Sequence, residues 1–198
     1  GESGNWVTPL VTNSVGEVYA GYSNLYKLES GNWTQQNTSF LGIGNIELIT
    51  IDPSKDNNIY ISGNGQLLKS IDKGVTFQNI FDANITSIAV HSTNSDIIYI
   101  TTQGTNGEVL KSVDGGLNFT SISNGLPNIG KNVIVHQGRN ATNPLFVGTS
   151  LGVYYKDDTM SQWQPFDSGL PNVSVTDLEI NLEDQKIIAA TYGRGIWQ

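Results

Sequence analysis

Cysteine is absent from all 198 residues, which excludes a disulfide scaffold, a thiol nucleophile and a thiolate metal site. Arginine is nearly absent, with Arg139 and Arg194 the only two. Ten basic residues stand against eighteen acidic ones, a net charge of −8, so no cluster of cations is available to neutralise phosphates or anionic headgroups. Nucleic acid is therefore not an expected partner. No apolar run reaches about 18 residues, so no membrane-inserted helix is expected. The N-terminal pattern of a signal peptide is missing too, and any such peptide is expected to lie outside this chain. Helical periodicity is also lacking: no segment sustains apolar residues at i, i+3, i+4 and i+7 between caps.

What is present is glycine, 22 of them, and an internal repeat. Leu67-Leu68-Lys69-Ser70-Ile71-Asp72-Lys73-Gly74-Val75-Thr76-Phe77 aligns with Val109-Leu110-Lys111-Ser112-Val113-Asp114-Gly115-Gly116-Leu117-Asn118-Phe119, 42 positions later. Weaker copies begin at Leu25 and Val153, and Ile196-Trp197-Gln198 starts another. Upstream of each copy lies a second motif, seen as Val18-Tyr19-Ala20-Gly21, Ile59-Tyr60-Ile61-Ser62, Ile98-Tyr99-Ile100-Thr101, Leu145-Phe146-Val147-Gly148 and Ile187-Ile188-Ala189-Ala190. Apolar runs such as Ile46–Ile51 and Ile85–Val90 come before that. Each unit of about 40 residues thus carries up to four short β-type runs separated by Gly, Asn, Asp and Pro. The pattern predicts an all-β fold, a β-propeller of four-stranded antiparallel blades over residues 1–198, with units of about 1–36, 37–81, 82–123, 124–166 and 167–198. The last unit has no fourth strand of its own. Gly4-Asn5-Trp6 echoes Gly31-Asn32-Trp33 and is a candidate for it; the rival reading is that the chain belongs to a larger propeller.

Ser70–Phe77 and Ser112–Phe119 each match S-x-D-x-G-x-x-[FW], which resembles the Asp-box or BNR repeat. The turns Asp52–Asn58 and Ser92–Asp96 look like those of sortilin-type (Vps10-like) and xyloglucanase-type propellers. Ala190–Trp197 resembles the closing blade of secreted Bacteroidetes proteins carrying such propellers. The resemblance implies a fold superfamily more than an activity. It implies structural roles for Ser70, Asp72, Gly74 and Phe77 and for Ser112, Asp114, Gly116 and Phe119. Asp bonds backbone N–H groups within its turn, Gly adopts the conformation other residues avoid, and the aromatic packs beneath.

Chemistry is sparse by comparison. Sialidase-type sites clamp a carboxylate with three Arg, which this chain does not have. Paired carboxylates for glycoside hydrolysis have candidates in Asp82, Asp167, Asp177 and Glu179, but no pattern singles out a pair. His91 and His136 close the first strands of neighbouring units, so they are expected to lie well apart, facing turn backbone or solvent, and not to share a metal. Asp52–Asn57 reads as a turn and not as a calcium loop. No cofactor or metal is expected.

In propellers, ligands sit where the loops joining the fourth strand to the next first strand, and the second to the third, emerge. Phe81, Asp82 and Asn128 fall in such loops, and the ligand-binding candidates are Tyr22, Phe40, Tyr192 and Arg194. Aromatics on a polar rim suit a sugar ring or an extended peptide. The expected function is a non-catalytic recognition or spacer module of a secreted or cell-surface bacterial protein, binding a glycan or protein segment, with other domains in a longer parent. The alternative is a fragment of a carbohydrate-active enzyme whose catalytic residues lie outside this chain.

Overall fold

The Val-, Ile- and Tyr-rich runs form nineteen strands in a computed structural model that describes residues 4–166 and 169–198, with no helix among the described residues. They assemble into five antiparallel sheets. The first comprises β1 (Leu10–Thr12), β2 (Val18–Gly21), β3 (Leu25–Glu29) and β4 (Asn32–Gln35), and the second β5 (Leu48–Ile51), β6 (Ile59–Gly63), β7 (Gln66–Ser70) and β8 (Gln78–Asp82). The third holds β9 (Ile85–Val90), β10 (Ile98–Thr102), β11 (Val109–Ser112) and β12 (Thr120–Ser121). The fourth holds β13 (Lys131–His136), β14 (Leu145–Thr149), β15 (Gly152–Lys156) and β16 (Gln164–Pro165). The fifth has three strands, β17 (Val175–Asn181), β18 (Lys186–Thr191) and β19 (Gly195–Trp197). In every sheet the strands pair in chain order, the up-and-down meander of a propeller blade. Two compact units hold them, one running to Ile85 with Thr93–Ser95, the other Thr86–Ser92 with Asp96–Gln198.

In the first four sheets the second strands are mostly buried on both faces, whereas β18 of the fifth is largely half-buried. All residues of β6 and β14 are buried, as are most of β10. In the first unit, Tyr19 and Leu25 of the first sheet pack on Ile49, Ile59, Ile61 and Leu68 of the second, with Phe77 at the margin. In the second unit, Tyr99 and Val109 meet Ile134, Leu145, Val147 and Trp163. Each such side chain contributes roughly 1.5–3 kcal/mol when taken fully out of water.

The recurrent Tyr and Lys of the repeat are cross-strand partners. Tyr60 pairs with Lys69 and Tyr99 with Lys111, and each ammonium lies 5.6 Å from its ring centre. In the first sheet the equivalent pair is Tyr19 and Lys27, and Lys27 also forms an ion pair with Glu17 at 2.7 Å.

The Ser-x-Asp-x-Gly segments make the turns from third to fourth strand. Ser70 Oγ accepts from the Gly74 N–H (2.8 Å) and donates to Asp72 (2.7 Å), while Asp72 accepts from the Thr76 N–H (2.9 Å) and hydroxyl (2.6 Å). Ser112 and Asp114 repeat this with Gly116 (2.9 Å) and with the Asn118 N–H (2.9 Å) and side-chain amide (2.8 Å). Gly74 sits at φ +87°, and a Cβ there would collide with Leu25 of the neighbouring sheet, so the position demands glycine twice over. Phe77 and Phe119 are both half-buried behind these turns.

Gly4-Asn5-Trp6 does not form a strand, contrary to the expectation that it completes the last sheet. Its polar atoms are used in the first unit instead. Asn5 Nδ2 donates to the Ile46 carbonyl (3.0 Å) and Asn5 Oδ1 accepts from Asn45 (3.2 Å), which leaves Trp6 in solvent.

Replacing Ser70 or Ser112 by Ala removes an acceptor from a buried glycine N–H and should destabilise the fold by about 1–2 kcal/mol in urea titration. The Asn118 side chain, then its backbone N–H and the Ser112 hydroxyl, hold the Asp114 pKa down to about 2. Its unfolded value is roughly 3.9. The contribution is therefore fully present above that value and lost as pH falls through about 2. An Asp114→Asn variant should show a flatter acid limb of stability in that window.

Candidate functional site

The connection from β4 to β5 is pinned to the first sheet at Asn24 and Leu25 and to the turn between β7 and β8 at Val75. The Gln36 N–H donates to the Leu25 carbonyl (2.8 Å) and the Thr38 N–H to the Val75 carbonyl (3.1 Å). Buried Asn37 accepts from the Leu25 N–H (2.8 Å) and donates to Asn24 (2.7 Å) and to the Ser39 carbonyl (2.9 Å). With the backbone held at both ends, Phe40 is turned outward and is 88% exposed. Below it opens a cleft of about 270 Å³ lined by Ser39, Phe40, Gln66, Thr76, Phe77 and Asn79. Asn79 is oriented from behind, since its amide donates to Asp82 (2.7 Å) and its oxygen accepts from the Phe81 N–H (3.2 Å). The cleft thus joins two aromatic rings to amide and hydroxyl groups and has no charged side chain in its lining. Rings offer apolar faces to C–H surfaces, and amides both donate to and accept from hydroxyls.

The other three loop candidates do not line this cleft. Tyr22, half-buried in the first unit, meets Tyr26 edge-on with centroids 5.9 Å apart. Tyr192 and Arg194 are in the second unit, on the turn between β18 and β19. Tyr192 is 80% exposed, Gly193 and Gly195 both have positive φ, and the Arg194 carbonyl accepts from the Trp197 indole (3.0 Å). The guanidinium therefore projects from a tight turn. Among the carboxylates, Asp82 belongs to the first unit, and exposed Asp177 and Glu179 alternate along β17 in the second. Asp167 lies outside the described residues.

The histidines depart from expectation. Instead of lying apart, His91 and His136 stack with ring centroids 4.3 Å apart, and Tyr99 stacks on His136 at 6.0 Å. Adjacent first strands bring their ends together here, so positions equivalent by repeat become neighbours in space. His91 Nε2 contacts the Asn143 oxygen (2.8 Å), and Asn143 donates to Asp158 (2.6 Å). The Ser92 N–H donates to His136 Nδ1 (3.3 Å), which places the ring proton on a buried Nε2. No group of three or more His, Asp or Glu able to hold a metal ion occurs among the described residues. Lys131 was not singled out by the repeat. It is buried, donates to the Pro127 carbonyl (3.0 Å), and has its pKa lowered by burial, with Glu108 opposing the shift.

No protein-family model matches the chain, and no curated protein matches it. Solved structures do. A GH74 enzyme from Niastella koreensis superposes with a TM-score of 0.75 at 22% identity, covering 96% of this chain and 33% of that one. A GH74 xyloglucanase from Xanthomonas campestris gives 0.73 at 17% identity, covering 96% and 34%. The fold is a β-propeller. The extracellular domain of a hybrid two-component system from B. thetaiotaomicron gives 0.67 at 17% identity, covering 100% of this propeller and 28% of that chain. This propeller chain therefore spans about a third of the length of these three structures.

Burial, reinforced by the neighbouring His91, holds the His136 pKa down to about 4. An unfolded histidine titrates near 6.5, so the unfolded chain binds more protons between those values. Stability should fall as pH drops from about 6.5 to about 4, and His136→Gln should flatten that slope in urea titrations at stepped pH.

Proposed function

We propose that this propeller is a non-catalytic recognition module of a secreted or cell-surface protein, and that it holds a glycan at the Phe40 cleft. The observation that carries the reading is an aromatic ring 88% exposed on an anchored loop, beside the amides of Gln66 and Asn79. Ordering costs are low because the loop is already fixed by its backbone bonds. The Ser-x-Asp-x-Gly turns support an Asp-box type of propeller, the class in which sortilin-like and xyloglucanase-type modules are built. The likeness to GH74 enzymes and to an extracellular sensor domain supports a carbohydrate-related, extracellular role.

The second reading is a piece of a carbohydrate-active enzyme, favoured by the one-third coverage of the GH74 enzymes. In that case groups outside this chain complete the chemistry. A peptide ligand or a spacer role is what remains if no glycan binds.

The test is binding of the purified chain to a panel of plant and microbial polysaccharides, with xyloglucan included. Phe40→Ala should weaken binding by at least about tenfold. The Tyr192→Ala/Arg194→Ala double variant should bind as the parent does. Loss confined to the double variant would move the site to the turn between β18 and β19. Release of reducing ends from xyloglucan by this chain alone would overturn the non-catalytic reading.

A further inference from the structure

In the fourth sheet the positions of the Ser-x-Asp-x-Gly turn carry other residues, which do other work. Ser70 pairs with Ile59 and Ser112 with Ile98; at the same register in the fourth sheet Lys156 pairs with Leu145. Asp158 therefore stands where Asp72 and Asp114 stand, and Met160 where Gly74 and Gly116 stand. Lys156 donates to the Met160 carbonyl, and Asp157 takes over the bracing of the turn, accepting from Thr159 and from the Tyr155 hydroxyl. Asp158 is thereby released from its own turn. One of its oxygens accepts from the Asn143 amide (2.6 Å), and the other has no hydrogen-bond partner among the described residues.

The released carboxylate lines a cleft of about 210 Å³ together with Lys111, Ile122, Asn143, Leu145 and Lys156. The third and fourth sheets, which supply these residues, each have all four strands. Asn143 is held from behind, its oxygen against Nε2 of His91, which is 8% exposed (2.8 Å). Lys111 lies over the Tyr99 ring, its ammonium 5.6 Å from the ring centre, and has no hydrogen bond or ion pair among the described residues. Neither lysine of the cleft forms an ion pair with Asp157 or Asp158 among the described residues. The cleft thus presents an ammonium and a carboxylate oxygen that do not neutralise each other, beside an apolar wall.

We infer that this cleft binds a zwitterionic small molecule of the free α-amino acid class, with its carboxylate on Lys111, its ammonium on Asp158 and its side chain against Ile122 and Leu145. A plain anion entering here is opposed by Asp158, and a plain cation by Lys111. A molecule carrying both signs gives each a charge-assisted partner. The volume is below the roughly 300–1,000 Å³ of pockets that take drug-sized ligands, so the occupant is small. Both charged groups are oriented before a ligand arrives, Asp158 through Asn143 and His91, and Lys111 by the Tyr99 ring, which lowers the ordering cost of binding. This cleft belongs to the second unit and the Phe40 cleft to the first, and either assignment stands without the other.

The probe is leucine, titrated calorimetrically into the intact chain. Saturable binding is expected. Isocaproate, which is leucine without the ammonium, and isoamylamine, which is leucine without the carboxylate, should each bind at least about tenfold more weakly. Lys111→Met keeps an apolar stem over Tyr99, and Asp158→Asn keeps the shape of the carboxylate. Each should weaken leucine binding at least about tenfold in a protein whose thermal unfolding is unchanged. Asp114→Asn, at the same register in the third sheet, should bind leucine as the parent does. No binding of leucine overturns the inference, as does binding undiminished in Lys111→Met or in Asp158→Asn. Isocaproate bound as tightly as leucine would make the cleft an anion site, and isoamylamine bound as tightly a cation site; either result overturns the zwitterion. Should a variant not fold, the two analogues decide the matter on the parent chain alone.

Discussion

Strands that are apolar on both faces set the constraint on which this structure depends. A residue such as Ile59 or Val147 has no solvent side, so a single sheet cannot satisfy it. Each blade must be covered by the next, and the repeated sequence provides the cover in register: Leu25 from one sheet against Ile59 and Ile61 from the following one. With no cysteine to cross-link loops, this packing and the turns between strands carry the stability. The cross-strand Tyr and Lys pairs serve the same end. Each lays a long aliphatic stem along the sheet and keeps its ammonium near an aromatic face.

The acidic composition is largely spent on local hydrogen bonding. Asp52 is fully buried, yet it accepts from the Ser54 N–H (2.9 Å), the Ser54 hydroxyl (2.8 Å) and the Asn58 amide (3.1 Å). Asp157 accepts from Thr159 twice (2.9 and 2.6 Å) and from the Tyr155 hydroxyl (2.7 Å), in a blade whose sequence has lost the Ser-x-Asp-x-Gly motif. A carboxylate already satisfied by its own turn is held in place, as suits a structural brace. Composition excluded several activities and recommended none.

The repeat made the strands legible because side-chain order along a blade is local information. Gly74 could be read as a required glycine from its motif, although the contact that forbids a Cβ comes from Leu25, nearly fifty positions earlier. The candidate sites were less legible. Phe40 was visible as an aromatic in a long loop, but its cleft needs Gln66 and Asn79 from strands placed by pairing. The histidines show the limit most clearly. Equal spacing along the chain suggested equal spacing in space, yet two first strands converge at their ends and stack the rings. A motif records its own position and not the distance to its copy.

Sequence by itself determined the class of the fold, the order of strands within each blade and the exclusion of arginine-dependent and thiol chemistry, because these follow from periodicity and composition. Tertiary structure decided which ends meet and which side chains are covered. Trp33 in β4 and Trp163 just before β16 both belong to the aromatic fourth run of their blades, yet Trp33 is 45% exposed and Trp163 1%. The difference arises because burial belongs to the pair of sheets that enclose a side chain, and no single segment encodes both walls.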